Sequence, residues 1–198
     1  MPWRYLCLLA VDEIMTRRYT ATAISLHWVM AVMIVCAFAL GLYMADLRLS
    51  PTKLKLFSWH KWLGVTIFLI AVARLLWRMT HRVPGLPDST PAWQRVAAAA
   101  THWVIYALLL AIPISGWLMS SASGFQVVYF GVLPLPDLLQ KDKALAGQLQ
   151  LVHETLNYTL MALLVVHVGA ALKHHLLDRD EVLHRMLPLV KHPLRNDR

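Results

Sequence analysis

The chain has 198 residues, 58% of them hydrophobic and only 15% charged, with a mean hydropathy of +0.53. An average soluble domain is roughly 45–50% apolar and about 25% charged, so this composition is shifted toward a lipid solvent and excludes disorder, collagen and small disulfide scaffolds. The excess of 19 Lys and Arg over 11 Asp and Glu reads as a topogenic signal in so apolar a chain rather than as a nucleic-acid surface.

In chain order, the apolar start around Leu6–Val11 is short and runs into Asp12 and Glu13, so it does not read as a signal peptide. Met15 precedes Thr-Arg-Arg, and residues 1–14 read as an extension upstream of an internal start. The first span is expected over residues 23–45, which carry no formal charge. Those 23 residues suffice to cross a hydrocarbon core of roughly 30 Å. A second apolar run covers 56–76, interrupted by Lys61 and Arg74 near its ends. Residues 96–136 hold no charge, too long a run for one span, and the third is placed at 96–119, with Pro113 as a kink site. A loop is expected over 120–147, where Pro134 and Pro136 disfavour helix. The fourth span is placed at 147–172.

The fold class expected is therefore an all-α membrane protein, a four-transmembrane-helix bundle. Its organisation is an N-terminal segment (1–20), a bundle (21–176) and a basic tail (177–198). Arg4, Arg17 and Arg18, the four arginines 74, 78, 82 and 95, and six basic residues from Lys173 onward account for thirteen of the nineteen. By the positive-inside rule these three regions, and with them both termini, are cytoplasmic.

Histidine inside a membrane span is costly and marks function. Of ten histidines, five fall in the spans. His27, His102 and His167 lie toward the inner surface, and His60 and His153 toward the outer one. His153 and His167 are fourteen residues apart, a spacing that returns to the same helix face within about 40° after an axial rise of about 21 Å. One helix thus offers two imidazoles at two depths, matched by His60 at the first and His27 at the second. Opposed imidazoles suit the axial positions of haem iron, whereas structural zinc wants about four ligands at one depth. His102 remains open as a ligand in place of His27, as a hydrogen-bond donor to a propionate or quinone, or as packing. His174 and His175 read as a solvated interfacial pair, and His81, His184 and His192 as free in loop or tail.

The same fourteen-residue step leads from His27 to Gly41, from His102 to Gly116 and from His60 to Arg74. The glycines read either as clearance for a macrocycle or as helix packing. Arg74 reads either as a propionate partner or as a positive-inside flank.

Several segments resemble the bacterial cytochrome b561 family. They are Ile-Ser-Leu-His27-Trp28, Trp59-His60-Lys-Trp-Leu-Gly64, His102-Trp-Val-Ile-Tyr106 through Pro113-Ile-Ser-Gly116, Val128-Tyr-Phe-Gly131, Val152-His153-Glu154-Thr155 and Val166-His167-Val-Gly. The resemblance runs from about Thr16 to Pro188. It implies two b haems, with His60 and His153 ligating the outer iron and His27 and His167 the inner one, and His102 not a ligand. It further implies electron transfer with the quinone pool in a bacterial inner membrane. Some members resemble a superoxide oxidase, and others anchor hydrogenases or formate dehydrogenases.

The function expected is relay of electrons between an outer-face donor, with superoxide one candidate, and quinone. The alternatives are a membrane-anchor subunit for a separate periplasmic redox enzyme and a non-redox metal transporter. The expected partners are lipid, quinone and that donor, with no nucleic acid.

Overall fold

The computed structural model describes residues 19–87 and 90–188. The first eighteen residues and the tail from 189 lie outside them, and with them the expected start-site extension, Arg4, Arg17, Arg18, His192 and the last three basic residues. Four long helices make up the body: α1 (Ala21–Ala45), α2 (Pro51–Thr80), α3 (Ala92–Ala122) and α4 (Lys143–Lys173). Each is long and apolar enough to cross a membrane.

Three of the four helices, α1, α2 and α4, start where side chains can satisfy their first free N–H groups. Thr20 Oγ1 accepts from Ala23 N at 3.2 Å, and Ser50 Oγ from Lys53 N at 3.2 Å. Asp142 Oδ1 accepts from Ala144 N and Leu145 N at 2.9 and 3.1 Å. Pro51 occupies the first turn of α2, where its missing N–H costs nothing. These caps explain why the helices outrun the expected spans. Hydropathy marks where lipid begins, but a capped helix continues past the apolar boundary. The fourth span, expected at 147–172, thus starts at Lys143 behind its Asp142 cap. The third, expected at 96–119, also runs longer, from Ala92 to Ala122, although Pro91 before it offers no side-chain cap, and the connection expected over 120–147 shrinks to the stretch between Ala122 and Lys143. Pro113 sits inside α3 as expected.

That connection carries an unanticipated element. Val128–Tyr129 (β1) and Leu133–Pro134 (β2) pair antiparallel, Val128 opposite Pro134 and Tyr129 opposite Leu133. Phe130 and Gly131 turn between them with φ of 50° and 71°. Two successive positive φ values make the tight hairpin turn whose twist matches the strands, and glycine accepts its share without strain.

The hairpin is tied to the bundle. Trp62 Nε1 donates to Val128 O at 2.7 Å, Lys61 Nζ to Phe125 O at 3.1 Å, and Thr66 and Tyr129 hydroxyls bond at 2.9 Å. It defines one end of the bundle, the hairpin end. Tyr19 and Met186 line one pocket at the opposite end, the termini end.

Successive helices pack as neighbours, α1 on α2, α2 on α3 and α3 on α4. Their buried contact is one cluster of Met30, Ile34, Ile67, Ala71, Leu108, Leu109 and Leu160. Leu160 lies seven residues from His153 and seven from His167. Two helical turns take about 7.2 residues, so His153, Leu160 and His167 form one stripe with the apolar cluster at its midpoint. Large apolar side chains elsewhere, Val32, Val35, Leu69, Val165 and Val166 among them, are exposed, as a lipid solvent requires.

Leu160 is 3% exposed. Leu160→Ala is expected to destabilise the bundle by roughly 2 kcal/mol, the low end for a core leucine, because a lipid-solvated reference state removes most of the transfer contribution. Thermal unfolding in detergent, compared with exposed Val165→Ala, measures it.

Candidate haem site

Three of the four helices bring four of the expected histidines together in two pairs. At the hairpin end His60 of α2 faces His153 of α4, ring centres 6.3 Å apart. At the termini end His27 of α1 faces His167 of α4, also 6.3 Å apart. His102 of α3 touches the same His167 ring at 5.3 Å.

His153 is the best fixed of the four. Ser115 Oγ donates to Ile112 O at 2.7 Å, so its oxygen faces His153 Nδ1, at 2.9 Å, as an acceptor. The same Nδ1 lies 3.1 Å from Ile112 O. Both neighbours are acceptors, which places the proton on Nδ1 and leaves the Nε2 lone pair bare. A metal-binding imidazole needs that tautomer, and such a partner is what fixes it. His60 differs: its Nδ1 is buried without a hydrogen bond of normal geometry, and this edge of the ring lies against Gly41 of α1. Among the described residues no hydrogen bond engages Nε2 of His27, His60, His153 or His167.

Gly41 and Gly116 lie directly against these rings. A Cβ on Gly41 would stand 3.2 Å from His60 Cε1, and one on Gly116 3.1 Å from His153 Cε1. Both distances are tighter than ordinary van der Waals contact. The glycines therefore make room for the imidazoles themselves, a closer role than either alternative read from the sequence.

Arg74 is at the termini end, where its Nε donates to Tyr106 Oη at 2.9 Å. It is near enough to act electrostatically on His27, His102 and His167.

The remaining histidines are less free than expected. His174 is largely buried and bonds Asp180 Oδ2 at 2.6 Å, with Asp178 at 3.3 Å. His175 packs on His184 at 5.0 Å, and His81 stacks on Trp77 at 3.7 Å. The reading of 174 and 175 as solvated and of 184 as free fails because the chain after α4 folds back over the bundle, a reversal that hydropathy does not register, whereas His81 stays exposed, as a loop residue should, and merely stacks on Trp77 of α2.

The model for prokaryotic cytochrome b561 matches residues 18–189. The chain belongs to this family. Cytochrome b561 homolog 2 of Escherichia coli (strain K12) is 38% identical over 172 residues, 86% of this chain and 91% of the relative. Cytochrome b561 homolog 1 of the same organism is 30% identical over 174 residues, 86% and 97% of the two chains. The probable superoxide oxidase CybB of Yersinia pestis is 28% identical over 180 residues, 88% and 98%. The chain is accordingly a multi-pass protein of the bacterial inner membrane, in a family of b-haem electron-transfer proteins.

The residues present fit that cofactor. Imidazoles on opposite sides of one iron need ring centres about 6 Å apart, from roughly 2 Å per metal–nitrogen bond and roughly 1 Å from each nitrogen to its ring centre. The 6.3 Å pairs meet this, whereas His102 and His167 at 5.3 Å are nearer to direct ring contact. Two glycines backing the rings and a bare Nε2 on His153 agree with it.

Gly116→Ala is expected to push the His153 ring and lower haem content, while Gly64→Ala, whose Cβ would meet nothing within 4 Å, leaves it unchanged. Pyridine haemochrome assay of the purified proteins tests the pair of variants.

Proposed function

We propose that the chain holds two b haems and carries electrons from a donor at the hairpin end to quinone at the termini end. His60 and His153 ligate one haem, and His27 and His167 the other. The observation that carries this reading is the repetition of one geometry: two imidazole pairs, each at 6.3 Å, set two depths apart on the single stripe of α4. When bound, each haem supplies a one-electron couple with both axial positions taken, which favours outer-sphere transfer over oxygen activation. The protein's part is to fix the four imidazoles in the neutral tautomer, exclude water and set the local field. His102, in contact with His167, orients that ring instead of ligating.

The termini end is the cytoplasmic one. Arg74, Arg78, Arg82 and Arg95 lie in or beside the connection at that end, with Lys173 closing α4 and Arg179 and Arg185 beyond it, in line with the positive-inside rule. Quinone is lipid-soluble and reaches this end from the bilayer.

The hairpin end carries Lys53, Lys55, Lys61, Lys141 and Lys143, which favour an anionic donor. Lys61 is bound to a loop carbonyl, and Lys53 Nζ donates to Ala45 O and Leu47 O. Lys55, Lys141 and Lys143 are left to face a donor. Superoxide is the donor that the Yersinia pestis relative suggests.

His153→Ala is expected to remove one of two low-spin b haems and spare the other, and His102→Ala to keep both. Reduced-minus-oxidised spectra and haem-to-protein ratios decide; two haems retained in His153→Ala would overturn the assignment.

In oriented vesicles, a membrane-impermeant donor or enzymatically generated superoxide supplied on the hairpin side is expected to reduce the protein and then quinone. Reduction only from the termini side would reverse the proposed direction.

A further inference from the structure

Beyond Lys173 the chain does more than end. It passes through a π-helical turn over His174–Asp178 and reverses at Arg179, whose φ is 51°. Lys173 Nζ on Asp178 and His174 on Asp180, both at 2.6 Å, hold the reversal. The chain then returns across the termini end. Trp28 Nε1 donates to Met186 O at 2.7 Å, and Arg185 Nη1 donates to Gly85 O at 2.8 Å. Residues 180–187 thus form a strap from α4 to α1, beside His27, and to the connection between α2 and α3.

Under the strap, positive charge gathers without visible compensation. A pocket of about 50 Å³ is lined by Arg74 and Arg78 together with Tyr19, His102, Tyr106 and Met186. Arg185 does not line the pocket itself, but it directly precedes the lining Met186 and is held across this end by its bond to Gly85 O. Among the described residues, none of the three has a carboxylate partner. Tyr19 does not supply the missing charge, because burial pushes its phenol up and outweighs the three arginines. Arg74 Nε is engaged by Tyr106, but Arg185 Nε is buried and has no acceptor. A buried charged donor without an acceptor is among the costlier features a protein retains.

We propose that Arg185 completes, with Arg74 and Arg78, a cationic seat for the two propionate carboxylates of the haem held between His27 and His167. The inference rests on the ligand assignment proposed above. A b haem carries both carboxylates on one edge, and Arg74 lines one pocket with His102, which packs against His167 of that pair. Planar guanidinium forks match carboxylates in pairs. The strap is then part of the site: it brings in a third arginine from a segment remote in sequence, and its closure depends on the backbone carbonyls of Gly85 and Met186. Arg185 acts as a positioning residue that also sets the local field.

Removing a positive charge beside the propionates disfavours the reduced, more negative state. Arg185→Gln is expected to lower the potential of the termini-end haem by about tenfold in its reduction equilibrium, ~59 mV for a one-electron couple. The hairpin-end haem is expected to stay unchanged, and Arg185→Lys to keep most of the wild-type value. Spectroelectrochemical titration of the full chain reads both couples.

A second arm reconstitutes the protein with haem dimethyl ester, which lacks the carboxylates. There Arg185→Gln is expected to produce no further shift relative to unsubstituted protein. An equal shift with either haem, or no shift with native haem, overturns the proposed seat. A wild-type protein with a single haem, or one that keeps both after His27→Ala, would instead refute the underlying ligand assignment.

Discussion

A nitrogen of an imidazole buried in a membrane is costly to leave unanswered, because neither water nor lipid will answer it. This requirement organises the bundle. At His153 it is met on one side by α3, where Ile112 and Ser115 present acceptors to Nδ1. Nε2 is thereby left free on the ring that pairs with His60 across the bundle. The close approach needed for this arrangement is possible only because residue 116 has no side chain. Gly41 plays the same part behind His60. Helix spacing, glycine placement and the α3 backbone around Pro113 all serve the orientation of four rings.

The two ends meet this requirement by different means. At the hairpin end the framework is backbone: carbonyls of α3 hold His153, and the loop is pinned to α2 through Lys61, Trp62 and Thr66. At the termini end the framework is side chain and charge: Arg74 with Tyr106, His102 against His167, and a returning segment secured by Trp28 and Arg185. A site set by backbone tolerates substitution at its surface but not in its spacing. A site set by arginines is tuned by single side-chain changes.

Much of this was legible in the sequence, and the reason is periodicity. The interval from His153 to His167, and the same interval from the other histidines to Gly41, Gly116 and Arg74, is a property of the α-helix alone. It placed the two glycines at the depth of the hairpin-end pair, where the structure puts them against the rings. Hydropathy found four spans but not their ends, because Thr20, Ser50 and Asp142 cap helices beyond the apolar boundary. It also missed the hairpin: Phe130 in a left-handed conformation is not a residue that announces a turn, although Gly131 beside it was a usable signal. The fold-back after Lys173 was invisible because its contacts, Trp28 to Met186 and Arg185 to Gly85, join positions about a hundred residues apart or more. No local pattern encodes such pairs.

The buried cluster midway along the α4 stripe has a consequence of its own. Met30, Ile34, Ile67, Ala71, Leu108, Leu109 and Leu160, with the partly buried Phe38, Ile70, Ile105 and Leu156 around them, contain no titratable group. In the proposed relay, an electron passing between the two haems would cross this apolar layer, whose side chains offer a proton no group to bind. Its passage is a net movement of charge through the insulating middle of the bilayer. The membrane voltage then adds to or subtracts from the driving force by up to about 2.3 kcal/mol per 100 mV. In that relay the apolar layer would make the direction of electron flow answerable to the energised state of the membrane.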